Sequence, residues 1–123
     1  MTRTKRTAVL ASALLAIGLT HAGVAQADDL RAAGTCDFAD TLCLWDQTNF
    51  NGAQMNLMPL PPSNATCVDL AAHGWGGRVR SAINTSSKTA ALFITTDCTG
   101  HPYGVSGSAP SVGIAANSVW VQR

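Results

Sequence analysis

The sequence predicts an all-β domain, an antiparallel two-sheet sandwich of two Greek-key motifs. Three observations lead there. The stretch Leu44-Trp45-Asp46-Gln47-Thr48-Asn49-Phe50-Asn51-Gly52 is echoed by Leu92-Phe93-Ile94-Thr95-Thr96-Asp97-Cys98-Thr99-Gly100. The copies agree at Leu44 and Leu92, Trp45 and Phe93, Thr48 and Thr96, Asn49 and Asp97, and Gly52 and Gly100. An aromatic residue followed seven positions later by Gly would arise about once by accident in this composition, but two matches with further agreeing columns read as an internal repeat. Short apolar runs broken by Gly, Pro, Asn and Ser are the second observation, and the third is that nothing beyond residue 27 sustains a helical period.

The elements follow in order. Residues 1–27 read as a secretory signal: Arg3, Lys5 and Arg6, an apolar run from Ala8 to Leu19, and the small-x-small site Ala25-Gln26-Ala27. Residues 28–35 read as a loose leader, and 36–123 as the domain. Thr41 to Asp46 alternates as a half-buried strand, with Leu42 and Leu44 on one face. Its hairpin partner is Ala53 to Met58, across the Gly52 turn. Pro59, Pro61 and Pro62 stop that strand, because proline cannot donate to a ladder. Ser63 to Thr66 reads as a loop, Val68 to Ala72 as a short apolar stretch, and His73 to Gly77 as irregular backbone. Arg80 to Asn84 is a strand and Thr85 to Lys88 a polar link. The second half repeats the plan: a strand over Ala90 to Thr95, a turn to Gly100, a strand near Tyr103 to Val105, a loop from Gly107 to Gly113, and a closing strand over Asn117 to Gln122.

Removing the signal leaves five Lys and Arg against seven Asp, a net charge of about −2 with His neutral. With no basic stripe, nucleic acid is excluded as a partner, and no second apolar run would hold the mature chain, expected to be a monomer, at a membrane. All four cysteines, Cys36, Cys43, Cys67 and Cys98, lie beyond the signal, so two disulfides are expected. Three pairings are possible and spacing does not choose among them. Cys36–Cys43 would close a short loop at the first strand, leaving Cys67–Cys98 to tie the first motif to the second turn; this is the favoured expectation. A zinc site lacks C-x-x-C spacing. No enzyme is expected: the chain has no Glu and no G-x-S-x-G elbow, and His73 and His101 read as loop and turn residues.

Aromatic-x6-Gly followed by a strand-opening serine resembles the βγ-crystallin Greek key. The resemblance implies that Trp45 and Phe93 cover their own folded turns, and that Ser81 and Ser118 bond the turn backbone. A single exported, disulfide-bonded bacterial domain of this kind is most similar to the Streptomyces-type metalloproteinase inhibitors and their relatives. Many βγ-crystallin domains bind calcium, but the matching segments here, Gly76 to Ser81 and Gly113 to Ser118, lack the acidic pair, and Arg80 stands where a hydroxyl ligand is expected. No metal or other cofactor is therefore expected.

The family likeness implies a secreted inhibitor of a metallo-endopeptidase acting through a disulfide-braced loop. The alternative is a secreted crystallin-type structural or killer-toxin-like module without a protease target, since motifs of this sort specify a frame more than a function. A braced loop enters a cleft already shaped, so little entropy is lost on docking. Cys67 and Val68, in the segment 63–69, are candidate contacts, because zinc endopeptidases of the thermolysin type favour an apolar residue after the cleaved bond. Val68 opening a buried strand is the competing reading. Trp75, flanked by glycines, is the second candidate and suits the core equally well.

Overall fold

The computed structural model describes residues 34–123. The signal assigned to 1–27, and the leader apart from Gly34 and Thr35, lie outside the described residues. Eight strands follow in order: β1 (Leu42–Gln47), β2 (Asn51–Leu57), β3 (Ala65–Asp69), β4 (Ser81–Asn84), β5 (Ala90–Phe93), β6 (Tyr103–Val105), β7 (Gly107–Ala109) and β8 (Ser118–Gln122). All pair antiparallel, in two four-stranded sheets ordered β2-β1-β4-β7 and β3-β8-β5-β6. Each motif lends its third strand to the other's sheet: β3 pairs with β8, and β7 with β4.

The core lies between the sheets. Leu42 and Leu44 of β1, Leu92 of β5, and Val119 and Val121 of β8 meet Leu70, Trp75, Val79, Val105 and Val112 there. Each such side chain contributes about 1.5–3 kcal/mol against leaving it exposed. β8 keeps the alternation of a half-buried strand: Val119 and Val121 point in, while Trp120 stays 38% exposed.

β1 departs from the half-buried expectation. Thr41, Cys43 and Trp45 are as buried as the two leucines. The outer face is covered by the chain's own lead-in: Gly34 N–H donates to Phe50 O (2.7 Å), and Gly34 lies so close to the Trp45 indole that a Cβ there would strike it. Gln54 Nε2 donates to Thr35 O (3.2 Å). Gly34 and Thr35 are thus docked, not loose.

Two strands occupy stretches read as loop. β3 begins at Ala65, within the polar stretch, and ends at Asp69; Ala71–His73 is a 3₁₀ turn instead of its continuation. β7 lies inside the Gly107 to Gly113 stretch. Both are edge strands on the partner motif's sheet, where backbone pairing suffices and alternation in the sequence is weak.

Candidate functional site

The two folded turns are built alike. Ser81 is wholly buried; its hydroxyl donates to Gln47 O (2.6 Å) and accepts from Phe50 N–H (3.0 Å). Ser118, equally buried, donates to Thr95 O (2.6 Å) and accepts from Cys98 N–H (2.9 Å). Each serine therefore satisfies one carbonyl and one N–H at its folded turn. Gly52 (φ 88°) and Gly100 (φ 97°) lie in the region that favours glycine. Asn49 is left-handed (φ 57°), and so are Phe50 (φ 61°) and its counterpart Cys98 (φ 58°), two residues for which that geometry is costly. The serine bond to each of their N–H groups helps hold that geometry. Trp45 covers the first turn, meeting Phe50 edge-on at 5.4 Å between centroids.

Around the first turn runs a polar clasp. Asp46 accepts from Ala53 N–H (2.8 Å) and pairs with Arg78 (Nη2 to Oδ2, 3.0 Å). The Arg78 bond, then the Ala53 bond, hold the Asp46 carboxyl below its ordinary value. Arg78 also lies over the Trp75 ring, 4.5 Å from its centroid, and donates to Gly74 O (2.9 Å). Trp75 is 9% exposed and belongs to the core cluster, with Arg78 as its lid. In the second turn, Thr99 Oγ1 donates to Asp97 (2.6 Å), and that bond, then the one from Thr95, lower the Asp97 carboxyl.

The segment 63–69 is mostly strand. Cys67 is exposed on edge strand β3, opposite Trp120 of β8, and is joined to Cys98. Val68 is half-buried and packs against the core. His73 and His101 are exposed; His73 Nδ1 lies 2.9 Å from Asp69 O.

The second disulfide, Cys36–Cys43, closes a tight loop over residues 37–42. Thr85 clamps it from the 85–88 link: its Oγ1 donates to Phe38 O (2.6 Å) and accepts from Thr41 N–H (3.0 Å), and its N–H donates to Thr41 O (2.9 Å). Thr41 Oγ1 donates to Ala39 O (2.8 Å), and Asp40 is left-handed (φ 53°). Phe38 is nonetheless 54% exposed, and with Leu57 and Met58 it lines an open cleft of about 570 Å³. Sequence reasoning passed over Phe38. The available signal was a large apolar residue inside a loop closed at seven residues' separation, too short to bury it.

The calcium-matching segments do not fit that ion. Arg80 Nη1 donates to Gly77 O (2.9 Å) and Val79 O (3.2 Å), so a cationic side chain already sits on the carbonyls. Asn117 spends its amide on Ile94 O (2.8 Å). Among the described residues no three His, Cys, Asp or Glu side chains cluster for a metal.

Comparison with solved structures supports the fold. The chain is similar to a βγ-crystallin from Ciona intestinalis (22% identity, TM-score 0.53, covering 68% of this chain and 99% of that one). It is similar to a double mutant of a βγ-crystallin domain from Clostridium beijerinckii (18%, TM-score 0.55, 66% and 96%). The N-terminal domain of Protein S gives 19%, a TM-score of 0.54, and 67% and 96%. No curated protein sequence matches. The family model of peptidase inhibitor family I36 matches residues 31–105, well over half of the chain. With its paired serine-bridged turns on a βγ-crystallin frame, this chain belongs to peptidase inhibitor family I36.

Proposed function

We propose that the chain is an exported inhibitor of a metallo-endopeptidase, acting through a disulfide-braced loop. Family membership carries the reading, because a peptidase-inhibitor family implies a protease partner. The metal class of that partner and the export rest on the signal-like start and on the resemblance of the motif. Two disulfides and the absence, among the described residues, of any helix able to cross a membrane are consistent with an exported protein.

Preorganisation is the physical basis. A surface fixed by disulfides and buried serines loses little conformational freedom when it docks. β3 supports the contact at Cys67 and Val68 in part: it is extended, and one of its edges is unpaired within the sheet. Its contribution is the strand edge and Cys67, since the half-buried Val68 side chain would have to give up its packing against the core to fill a pocket. Trp75 acts from behind, as packing under Arg78. The test is to titrate the oxidised protein, without its signal, into a thermolysin-type zinc endopeptidase and follow cleavage of a quenched peptide. Stoichiometric inhibition is expected. Inhibition of serine or cysteine peptidases alone would overturn the metallo-endopeptidase reading, and inhibition of none would favour a structural or toxin-like module.

A further inference from the structure

We propose that the Cys36–Cys43 loop is the docking loop for the peptidase, and that Phe38 is the anchor that enters its apolar pocket. The proposal rests on the peptidase-inhibitor reading and assigns that reading a contact of its own.

Three features converge on Phe38. Its backbone is held by the disulfide and by Thr85 on its carbonyl, and the chain entering the loop is held by Gln54 on the Thr35 carbonyl. Phe38 itself remains more than half exposed. A rigid loop that presents more than half of an aromatic residue to solvent gains little in folding from the exposed part, but it suits an interface centre, where one anchored aromatic carries most of the energy. The left-handed Asp40, two residues on, is strain of the sort that persists where neighbouring structure over-determines a loop.

The cleft beside Phe38 supplies the second feature. Leu57 and Met58 form part of its wall, and Met58 is itself 44% exposed. It has room for a side chain from the rim of the partner's pocket, while Phe38 fills the pocket itself. The third feature is charge. Asp37 and Asp40 flank Phe38, and residues 36–43 carry no base. A pocket with a cationic rim or floor is the complement, and the cleft of a metallo-endopeptidase holds its metal ion there. β3 offers no equivalent anchor, because Val68 is half-buried and packs against the core.

The experiment measures inhibition of the same zinc endopeptidase by Phe38→Ala, Phe38→Leu and Ile94→Ala in the oxidised protein, with thermal melting and sedimentation of each. Ile94 is 62% exposed and does not line the cleft. Phe38→Ala should raise the inhibition constant about tenfold or more with little change in melting. Phe38→Leu should recover most of that loss, and Ile94→Ala should stay within about twofold. Inhibition by wild type that Phe38→Ala leaves unchanged would overturn the proposal while the peptidase reading stands. A wild type that inhibits no metallo-endopeptidase would remove both. A wild-type dimer that Phe38→Ala dissociates, with inhibition untouched, would assign the face to a second copy of the chain and overturn the proposal equally.

Discussion

Ser81 and Ser118 show how little side chain a folded turn requires. Each hydroxyl lies where a carbonyl and an N–H of its folded turn converge, and each is fully buried. Ser81→Ala leaves Gln47 O and Phe50 N–H without that partner in a buried site, so a loss of about 1–3 kcal/mol is expected by urea unfolding. A change under about 0.5 kcal/mol would mean that water substitutes for the hydroxyl. The two turn glycines separate two physical effects. At Gly100 only the positive φ opposes a side chain, whereas a Cβ at Gly52 would also strike the Asp46 carboxylate. Gly100→Val should therefore cost about 1–3 kcal/mol, and Gly52→Val more. Equal costs would show that the Asp46 carboxylate moves aside freely. Asp46 also sets a pH dependence. Its folded value is lowered, so its contribution is present above the unfolded value near 3.8 and is lost as pH falls through the folded one. The stability gap between wild type and Asp46→Asn should hold at pH 6 and close as pH falls below about 4. A gap that persists at pH 2 would show that the charge of Asp46 is immaterial.

At the scale of elements, legibility depended on where a strand's partner lies. β1, β4, β5 and β8 could be read because their side chains alternate, or open on the motif serine, and face a core. The folded turns could be read because their backbone needs are written in Gly52, Gly100, Ser81 and Ser118. β3 and β7 were obscured because they pair across motifs at sheet edges, where Ala65-Thr66 and Gly107-Ser108-Ala109 satisfy the ladder with almost no apolar signal. The burial of Trp45 and Cys43 was hidden for a related reason: the cover comes from Gly34 and the disulfide loop, remote contacts that local periodicity does not encode. Phe38 was missed because the contact that fixes its backbone comes from Thr85, more than forty residues away. Val68 tests the edge-strand reading. With its side chain against the core, Val68→Asp buries a carboxylate without a partner and should cost several kcal/mol. Circular dichroism and inhibition should then fail together, whereas a folded, non-inhibiting variant would make Val68 a direct contact.

On the scale of the whole molecule, the exchange of β3 and β7 decides how the protein unfolds. Neither sheet belongs to one motif: each takes three strands from one half and one from the other, and a single core lies between them. Losing either half strips a strand from the other's sheet and exposes the shared core, so a single cooperative transition is expected. Cys67–Cys98 adds a covalent tie across the same junction, from β3 of the first motif to the turn of the second, with a sequence separation of 31. Chain entropy gives that tie roughly 3.5–4 kcal/mol of stabilisation, against roughly 2.5 kcal/mol for the shorter Cys36–Cys43 loop, separation 7. Replacing Cys67 and Cys98 together by Ser should therefore lower the urea midpoint more than replacing Cys36 and Cys43. It should leave the transition single, because strand exchange still couples the halves. Unfolding followed in parallel by far-ultraviolet circular dichroism and tryptophan fluorescence checks both points. Trp45 and Trp75 report on the first motif and Trp120 on the last strand, so separate transitions in the Ser variant would show that the disulfide, and not the exchanged strands, joins the two halves.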